Sequence, residues 1–528
     1  MSTLNIKNNA VSVGLKKANH EGSVQHVKSP EQQLLEITVM TLWGKDSFYE
    51  ANDTRLIRIR ALVNTIVEKG NLDFIANVIR YARTEMHIRS VPIIVAICFT
   101  EALRKNNVTY SHMRKLICDT IQRADQINDM YAVAILVYGD STDQKKAKRV
   151  IPTAIKRGVA DAFNKFNEYH FGKWNRSNSV KFSDVLRVVH PTPITPEQGE
   201  LFSRIIAGTV AVPDTHEVFF STNGQLPVAE RKPNAVIWDE LTTNKKLGYQ
   251  ATLMNVRRML NDEVSRDTLF AVAARLTDPK EVAKSKMLPF QFVAAYNAIQ
   301  EVRHTPNANL IVNALTDAID ISLTNIPVIG DNIIIIIDLS ASMQTYSAAS
   351  RYNRNGFAQT TGTPATIAAM FAAALFKANV NARNITLIGF SDDASFVRAN
   401  SRDSVVSIKE MILHQTRAGG TNLYGACEFI KANVKFVPDT VVLLSDMQIQ
   451  DAASLYWNVR SFDIQPYFPK DSIKIAINLD AYDTTCAPEY KGWIQLQGWS
   501  PKIFDMIPTM RENNIKSVVK LLLGPYHC

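Results

Sequence analysis

The sequence predicts a helical repeat array followed by a doubly wound α/β domain, and three observations carry that prediction. From about Glu31 to about Asn325, apolar residues recur nearly throughout at the spacing of an amphipathic helix. After Pro327, short apolar runs alternate with helical ones, which implies crossover units and a mostly parallel sheet. The first of those runs, "NIIIIIDLSASMQ" from Asn332 to Gln344, passes from five isoleucines to an acid and two serines. β-Branched residues suit a strand buried on both faces, and ligands of open parallel sheets sit beyond the strands' carboxyl ends.

The helical elements follow in order. "NDTRLIRIRALVNTIVEKGN" sets Leu56, Ile59, Leu62, Val63, Ile66 and Val67 on one stripe, with Asp53 or Thr54 as cap and Gly70 as stop. "LDFIANVIRYARTEM" repeats the pattern, and "SVPIIVAICFTEALRK" opens with Ser90 at the N-cap and Pro92 near the first helical position. "INDMYAVAILVYGD", "IPTAIKRGVADAFNKF", "NKKLGYQATLMNVRRML", "VSRDTLFAVAARL", "LPFQFVAAYNAI" and "NANLIVNALTDAIDISL" continue it. Short Gly, Pro, Asn and Asp breaks imply stacked helix pairs of the HEAT or armadillo type, with an irregular bundle as the alternative because no strict period is shared. "TPEQGELFS" and "STNGQLPVAERKPN" are the expected loops.

In the second part, "NIIIIID", "NITLIGFS", "TVVLLSD" and "SIKIAINL" are expected strands, with "TPATIAAMFAAALFKAN", "NLYGACEFIKANV" and "SPKIFDMIPTM" as helices. The expected domains are residues 31–327 and 328–528.

At 528 residues the chain exceeds one core. Residues 1–327 hold 41 Lys+Arg against 33 Asp+Glu, and residues 328–528 hold 18 against 17, so the basic excess lies in the helical part and suits a polyanionic partner. The five cysteines, Cys98, Cys118, Cys427, Cys486 and Cys528, form no CxxC pair, which argues against a disulfide framework and a zinc site. No apolar run approaches the ~18 residues of a membrane helix, and the N-terminus lacks the pattern of a secretion signal; a cytoplasmic protein is expected.

Three loops at expected strand ends collect hard oxygen ligands: Asp338, Ser340 and Ser342 in the first, Thr421 in "RAGGTNLYG", and Asp446 in "LLSDMQ". Two carboxylates and three hydroxyls, with no histidine or cysteine, suit Mg²⁺ or another hard divalent cation. Gly419 and Gly420 permit close backbone approach in the second loop. Asp338 and Ser340 alone would serve equally as a helix cap; the three loops together favour the metal.

"DLSASM", "GGTNL" and "LLSD" closely resemble the metal-ion-dependent adhesion site (MIDAS) of von Willebrand factor A domains, with Asn422 where many members carry another residue. "WGKDSFYEAND", the stretch from "IPTAIKRG" through "FSDVLRVVHPTP", "TLMNVRRML" and "LPFQFVAAYNAI" resemble the TROVE module of the Ro ribonucleoprotein autoantigens and their bacterial or phage-type relatives. That resemblance implies a closed HEAT-like ring bridged by the A domain, and a ring closed within one chain needs no partner subunit, so a monomer is expected. It implies small structured Y RNAs on the outer surface and single-stranded 3′ ends of misfolded RNAs in the hole, with an exoribonuclease as a further partner in RNA quality control.

On the resemblance, Lys173 and His190 match RNA-facing positions, and Arg176 and Arg187 lie close by. Arg80, Arg83, Arg257 and Arg258 could add phosphate contacts or form surface ion pairs, and Tyr81, Tyr169 and Trp174 could stack on bases or fill the core. No GxxxxGK[ST], GxSxG or HExxH motif is present, and Ser340 stands where an acid-nucleophile phosphotransferase would need its second carboxylate; no enzyme is expected. The competing function is a protein-binding adaptor acting through the A-domain metal site.

Overall fold

The computed structural model describes residues 16–40, 52–138, 151–174, 180–211, 215–344, 363–415, 419–456, 462–480, 482–488, 491–497 and 522–526. Packing divides the chain into two compact units, one of residues 1–29, 44–50 and 223–518, the other of residues 30–43, 51–222 and 519–528. The change from helices to alternating strands near residue 327 lies inside the first of these, and the helical segment contributes to both.

In the unit containing residues 51–222, Leu72–Thr84 buries Ile75, Val78 and Ile79 of the expected stripe Leu72, Ile75, Val78 and Ile79, while Leu72 is half-buried and Phe74 is buried in addition. Val91–Lys105 starts with Pro92 in its first turn, while Ser90 occupies the N-cap position without a side-chain cap bond. Asn52–Glu68 packs on Val91–Lys105, and Met113–Thr120 on Thr153–Phe163. The last pair meets closely at Gly158, where a Cβ would stand 2.6 Å from both the Arg114 carbonyl oxygen and the Ile117 Cβ.

Both expected loops carry helix. Thr195 accepts the Gln198 N–H and Pro196 fills the first position of Pro196–Ala207, so "TPEQGELFS" is a capped helix rather than a break. Residues 221–225 close the helix His216–Gln225, and Val228–Glu230 forms a 3₁₀ turn.

The other unit holds six further helices from Asn234–Thr243 to Ala308–Ser322. Pro289–Gln300 packs on both Ala308–Ser322 and Tyr249–Asn261, and Arg266–Leu276 also packs on Ala308–Ser322. Contacts to successive helices and to helices three places along the chain are those of stacked helix pairs.

Nine strands are described: β1 Lys16–Ala18, β2 Val24–Val27, β3 Asn332–Asp338, β4 Asn384–Phe390, β5 Ala394–Val397, β6 Thr440–Ser445, β7 Ile473–Asn478, β8 Thr484–Thr485 and β9 Trp493–Gln497. Six form one sheet in the order β5-β4-β3-β6-β7-β9, parallel except where β5 runs antiparallel to β4. β3 lies between β4 and β6, and all five of its isoleucines are fully buried. Ile334 and Ile336 face one core with Phe390, Leu423, Cys427, Leu443 and Trp493, and alternation sends Ile333, Ile335 and Ile337 to the opposite face. Pro364–Ala378 packs against β3, β4 and β6, and Leu423–Asn433 against β4 and β5. This is the doubly wound domain expected after residue 327. "SPKIFDMIPTM" lies outside the described residues.

A separate three-stranded sheet joins β1, β2 and β8 in antiparallel pairs. No described helix is long and apolar enough to cross a membrane.

Candidate metal centre and nucleic-acid surface

The oxygen ligands expected from three separate loops meet at the carboxyl ends of β3 and β6. Asp338 ends β3, Ser340 and Ser342 follow at the short helix Ala341–Gln344, and Asp446 comes directly after β6. Thr421 enters from the second loop, which is tied to the first where Ala341 N–H donates to the Gly419 carbonyl at 3.0 Å. It is tied to the third where Gln450 N–H donates to the Thr421 carbonyl at 3.0 Å. All five candidate ligands are at most 6% exposed.

Hydrogen bonds fix the two carboxylates. Asp338 Oδ1 accepts the Ser340 N–H at 3.0 Å, and its Oδ2 accepts the Ser445 hydroxyl at 2.6 Å. Asp446 Oδ1 accepts the Gln448 N–H at 3.0 Å. Ser340 Oγ and Ser342 Oγ lie 3.2 Å apart.

Burial raises the Asp338 carboxyl above its ordinary range against the pull of its serine partners. Burial, and then the Asp338 charge, raise Asp446 well above it. Two buried carboxylates that repel each other are stabilised by a shared dication, and an all-oxygen donor set of this kind fits Mg²⁺. Gln450 Oε1 adds a buried amide oxygen with no hydrogen-bond partner among the described residues.

Glycine matters at both positions singled out in the second loop. A Cβ on Gly419 would strike the Asp392 carboxylate, and one on Gly420 the Gln450 amide. Asn422 caps Leu423–Asn433 by accepting the Gly425 N–H at 2.9 Å, and its Nδ2 donates to Tyr456 Oη at 2.7 Å. Ser445, absent from the predicted ligand set, is an anchor of Asp338; its place directly before Asp446 in "LLSD" was the only available signal.

The helical candidates are placed differently. Lys173 is half-buried near the end of Glu168–Trp174, while Arg187 and His190 are exposed on and just after Phe182–Val189. Phe171 and Phe182 tie these helices together edge to face, with ring centres 5.2 Å apart. Asp184 accepts the Lys181 N–H at 3.1 Å and fixes the start of the second helix. His190 ends it in the left-handed region, φ 47°, immediately before Pro191. That conformation is uncommon for a side-chain-bearing residue, and it turns the chain where the candidate sits. Arg176 lies outside the described residues.

The remaining basic and aromatic candidates divide. Arg83 is a buried structural residue whose Nε donates to the Thr120 carbonyl at 2.9 Å and whose Nη2 donates to Gln126 at 2.9 Å. Arg257 pairs with Glu301 at 2.7 Å and Arg258 with Asp262 at 3.7 Å. Arg80 lies over the Tyr526 ring at 5.6 Å. Tyr81 is half-buried, Tyr169 is 47% exposed, and Trp174 is covered by the Arg123 guanidinium 3.9 Å from its ring centre. Arg123, which also pairs with Asp125, was not anticipated as part of this surface.

These elements define a helical-repeat protein carrying a doubly wound α/β domain with an oxygen-donor cluster at the carboxyl ends of its central strands. The chain belongs to the TROVE domain family, whose sequence model matches residues 16–223 and 221–316. The match begins at β1, ahead of the first helix read from periodicity. In fold, the chain is similar to the crystal structure of the Deinococcus radiodurans RO (RSR) protein, with a TM-score of 0.60 at 15% sequence identity, covering 91% of this chain and 99% of that one.

Proposed function

We propose that this protein is the ring-shaped, monomeric scaffold of a small cytoplasmic ribonucleoprotein. In this reading residues 31–327 bind RNA: structured Y-like RNA on the outer surface, and single-stranded ends of misfolded RNA in a central hole, held by Lys173, Arg176, Arg187 and His190. Residues 328–528 bear a metal-ion-dependent adhesion site in which Asp338, Ser340, Ser342, Thr421 and Asp446 hold Mg²⁺. The protein works in RNA quality control or processing beside an exoribonuclease and is not itself an enzyme. The observation that carries the reading is membership of the TROVE family across the helical part, where the basic excess also lies.

The direct test is purification at low salt followed by absorbance at 260 nm. Retained RNA that is released by high salt is the expected outcome, because phosphate contacts release condensed counterions and weaken steeply with salt. Protein free of RNA at low salt, with no affinity for tailed RNA added afterwards, counts against it.

The five buried oxygen donors favour one second reading, a protein-binding adaptor acting through the metal. It predicts Mg²⁺-dependent capture of an acidic protein partner with no RNA requirement.

A further inference from the structure

The Arg123 guanidinium carbon lies over the Trp174 ring, 3.9 Å from its centre, the separation of two stacked planes. Its edge is fixed as well. Nε donates to Asp125 Oδ1 at 3.0 Å and Nη2 to Asp125 Oδ2 at 2.5 Å, a two-pronged pairing that sets the guanidinium plane. The backbone beneath is braced: Gln126 Oε1 accepts the Gln122 and Arg123 N–H groups at 3.0 Å each and Arg83 Nη2 at 2.9 Å. Arg123 is therefore held in place before any ligand arrives.

The indole takes one face of the guanidinium and Asp125 one edge, which leaves the opposite face for a further planar group. Arg123 keeps 25% of its side chain exposed. Lys173 Nζ stands 5.7 Å from the Trp174 ring centre and 6.0 Å from that of Tyr169, which is itself exposed. Burial, then Arg89 and Arg123, hold the Arg83 guanidinium down at about 10, with Asp125 opposing them. Positive charge around the stack suits the phosphates of a strand whose base lies on it.

We propose that the outer face of Arg123, backed by Trp174, is a stacking platform for one unpaired nucleobase of a single-stranded RNA tail, so that this surface reads a base plane as well as phosphate charge. The inference rests on the RNA reading above. Every base presents a π-face, and aromatic and guanidinium planes accept it without regard to sequence. A lysine in place of Arg123 keeps the charge and lacks the plane. Lys173, a compact ammonium, adds phosphate attraction alone.

The test uses the full chain and a stem-loop RNA with a single-stranded 3′ tail, beside the same RNA with one abasic nucleotide moved along that tail. Wild type should lose about ten-fold in affinity at one tail position, the size of effect that one stacked base brings. Arg123→Lys should bind the intact tail about ten-fold more weakly with an unchanged salt slope, and should lose nothing further at that position. Trp174→Leu, which removes the ring behind the guanidinium, should behave likewise, and Trp174→Phe should restore most of the loss. Lys173→Ala should flatten the salt slope and stay sensitive to the abasic position. Thermal unfolding checks each variant. Equal affinity of wild type for every abasic RNA overturns the platform and leaves phosphate binding standing. Undiminished abasic sensitivity in a folded Arg123→Lys or Trp174→Leu overturns it as well. Failure of wild type to bind the intact tailed RNA removes the RNA reading and this inference with it.

Discussion

The two candidate sites are built on opposite principles. In the metal centre the candidate ligands are buried and the loops are tied to one another: Asp338 is held by Ser340 of its own loop and by Ser445 at the end of β6, Asp446 by Gln448 of its own loop, and the second loop by the Ala341 and Gln450 N–H groups. On the helices, Lys173, Arg187 and His190 are half-buried or exposed, and what is fixed is the helix beneath them, through Phe171, Phe182 and the Asp184 cap. A geometry shared among loops fails as a whole when one member goes. A field of surface cations loses only the share of the residue removed.

The largest effect that would break this contrast is Asp338→Ala. It should abolish Mg²⁺ binding in calorimetry while most helical circular dichroism persists; retained affinity would reduce the cluster to a helix cap. Next is the scaffold beneath it. Ile336→Ala removes a fully buried side chain from the central strand and should cost about 2–5 kcal/mol in denaturant unfolding, the range for large-to-small core changes.

The helical surface should respond more gently. Lys173→Ala combined with His190→Ala should weaken RNA with a free single-stranded 3′ tail by about ten-fold, or roughly 1–3 kcal/mol, and compact stem-loop RNA much less. Equal weakening of both in a thermally stable variant, measured at one salt concentration, would leave only a nonspecific basic surface.

The smallest expected effect is on the hairpin. Burial first, then Lys491 and Lys16, hold the His26 imidazole down at about 4, with Asp463 opposing them. An unfolded histidine titrates near ~6.5, so between those values the detached strand binds a proton that the docked strand does not. Docking is strongest above that window and weakens as pH falls through it. Amide exchange at Val24–Val27 should accordingly quicken, relative to residues of β3, from pH 7 to pH 5.

The strand β3 and its ligand-bearing end were legible because five consecutive isoleucines leave few alternatives to a doubly buried strand, and because hydroxyls and acids follow at once. The helical stripes were legible in part: in Leu72–Thr84 the period finds Ile75, Val78 and Ile79, but burial also takes in Phe74, Ala76, Asn77, Ala82 and Arg83. Reading failed where a breaker residue had a second use. Pro196 starts a helix as readily as it stops one, and Thr195 before it supplies the cap. It failed too where the partner is remote. Nothing within "KKANHEGSVQHV" indicates that β2 pairs with Thr484 and Thr485, or that the hairpin tip is fastened to Gln448, Ile449 and Gln450. Exposed RNA candidates carry no packing pattern of their own, so their positions came only from the family resemblance.

The pairing of β2 with β8 also bears on how the protein is made. His26 meets Thr485, and Asn19 meets Ile449 across a separation of 430 residues. A ribosome adding ~5–20 residues per second needs roughly 20 to 90 seconds to supply those partners. During that interval the hairpin has neither its β8 partner nor its docking loop, and one edge of β2 is open to whatever else can pair with it. The earliest strands of the chain are thus among the last to settle, and a nascent protein stalled before residue 449 would present a family-matched helical segment whose leading hairpin has nowhere to dock.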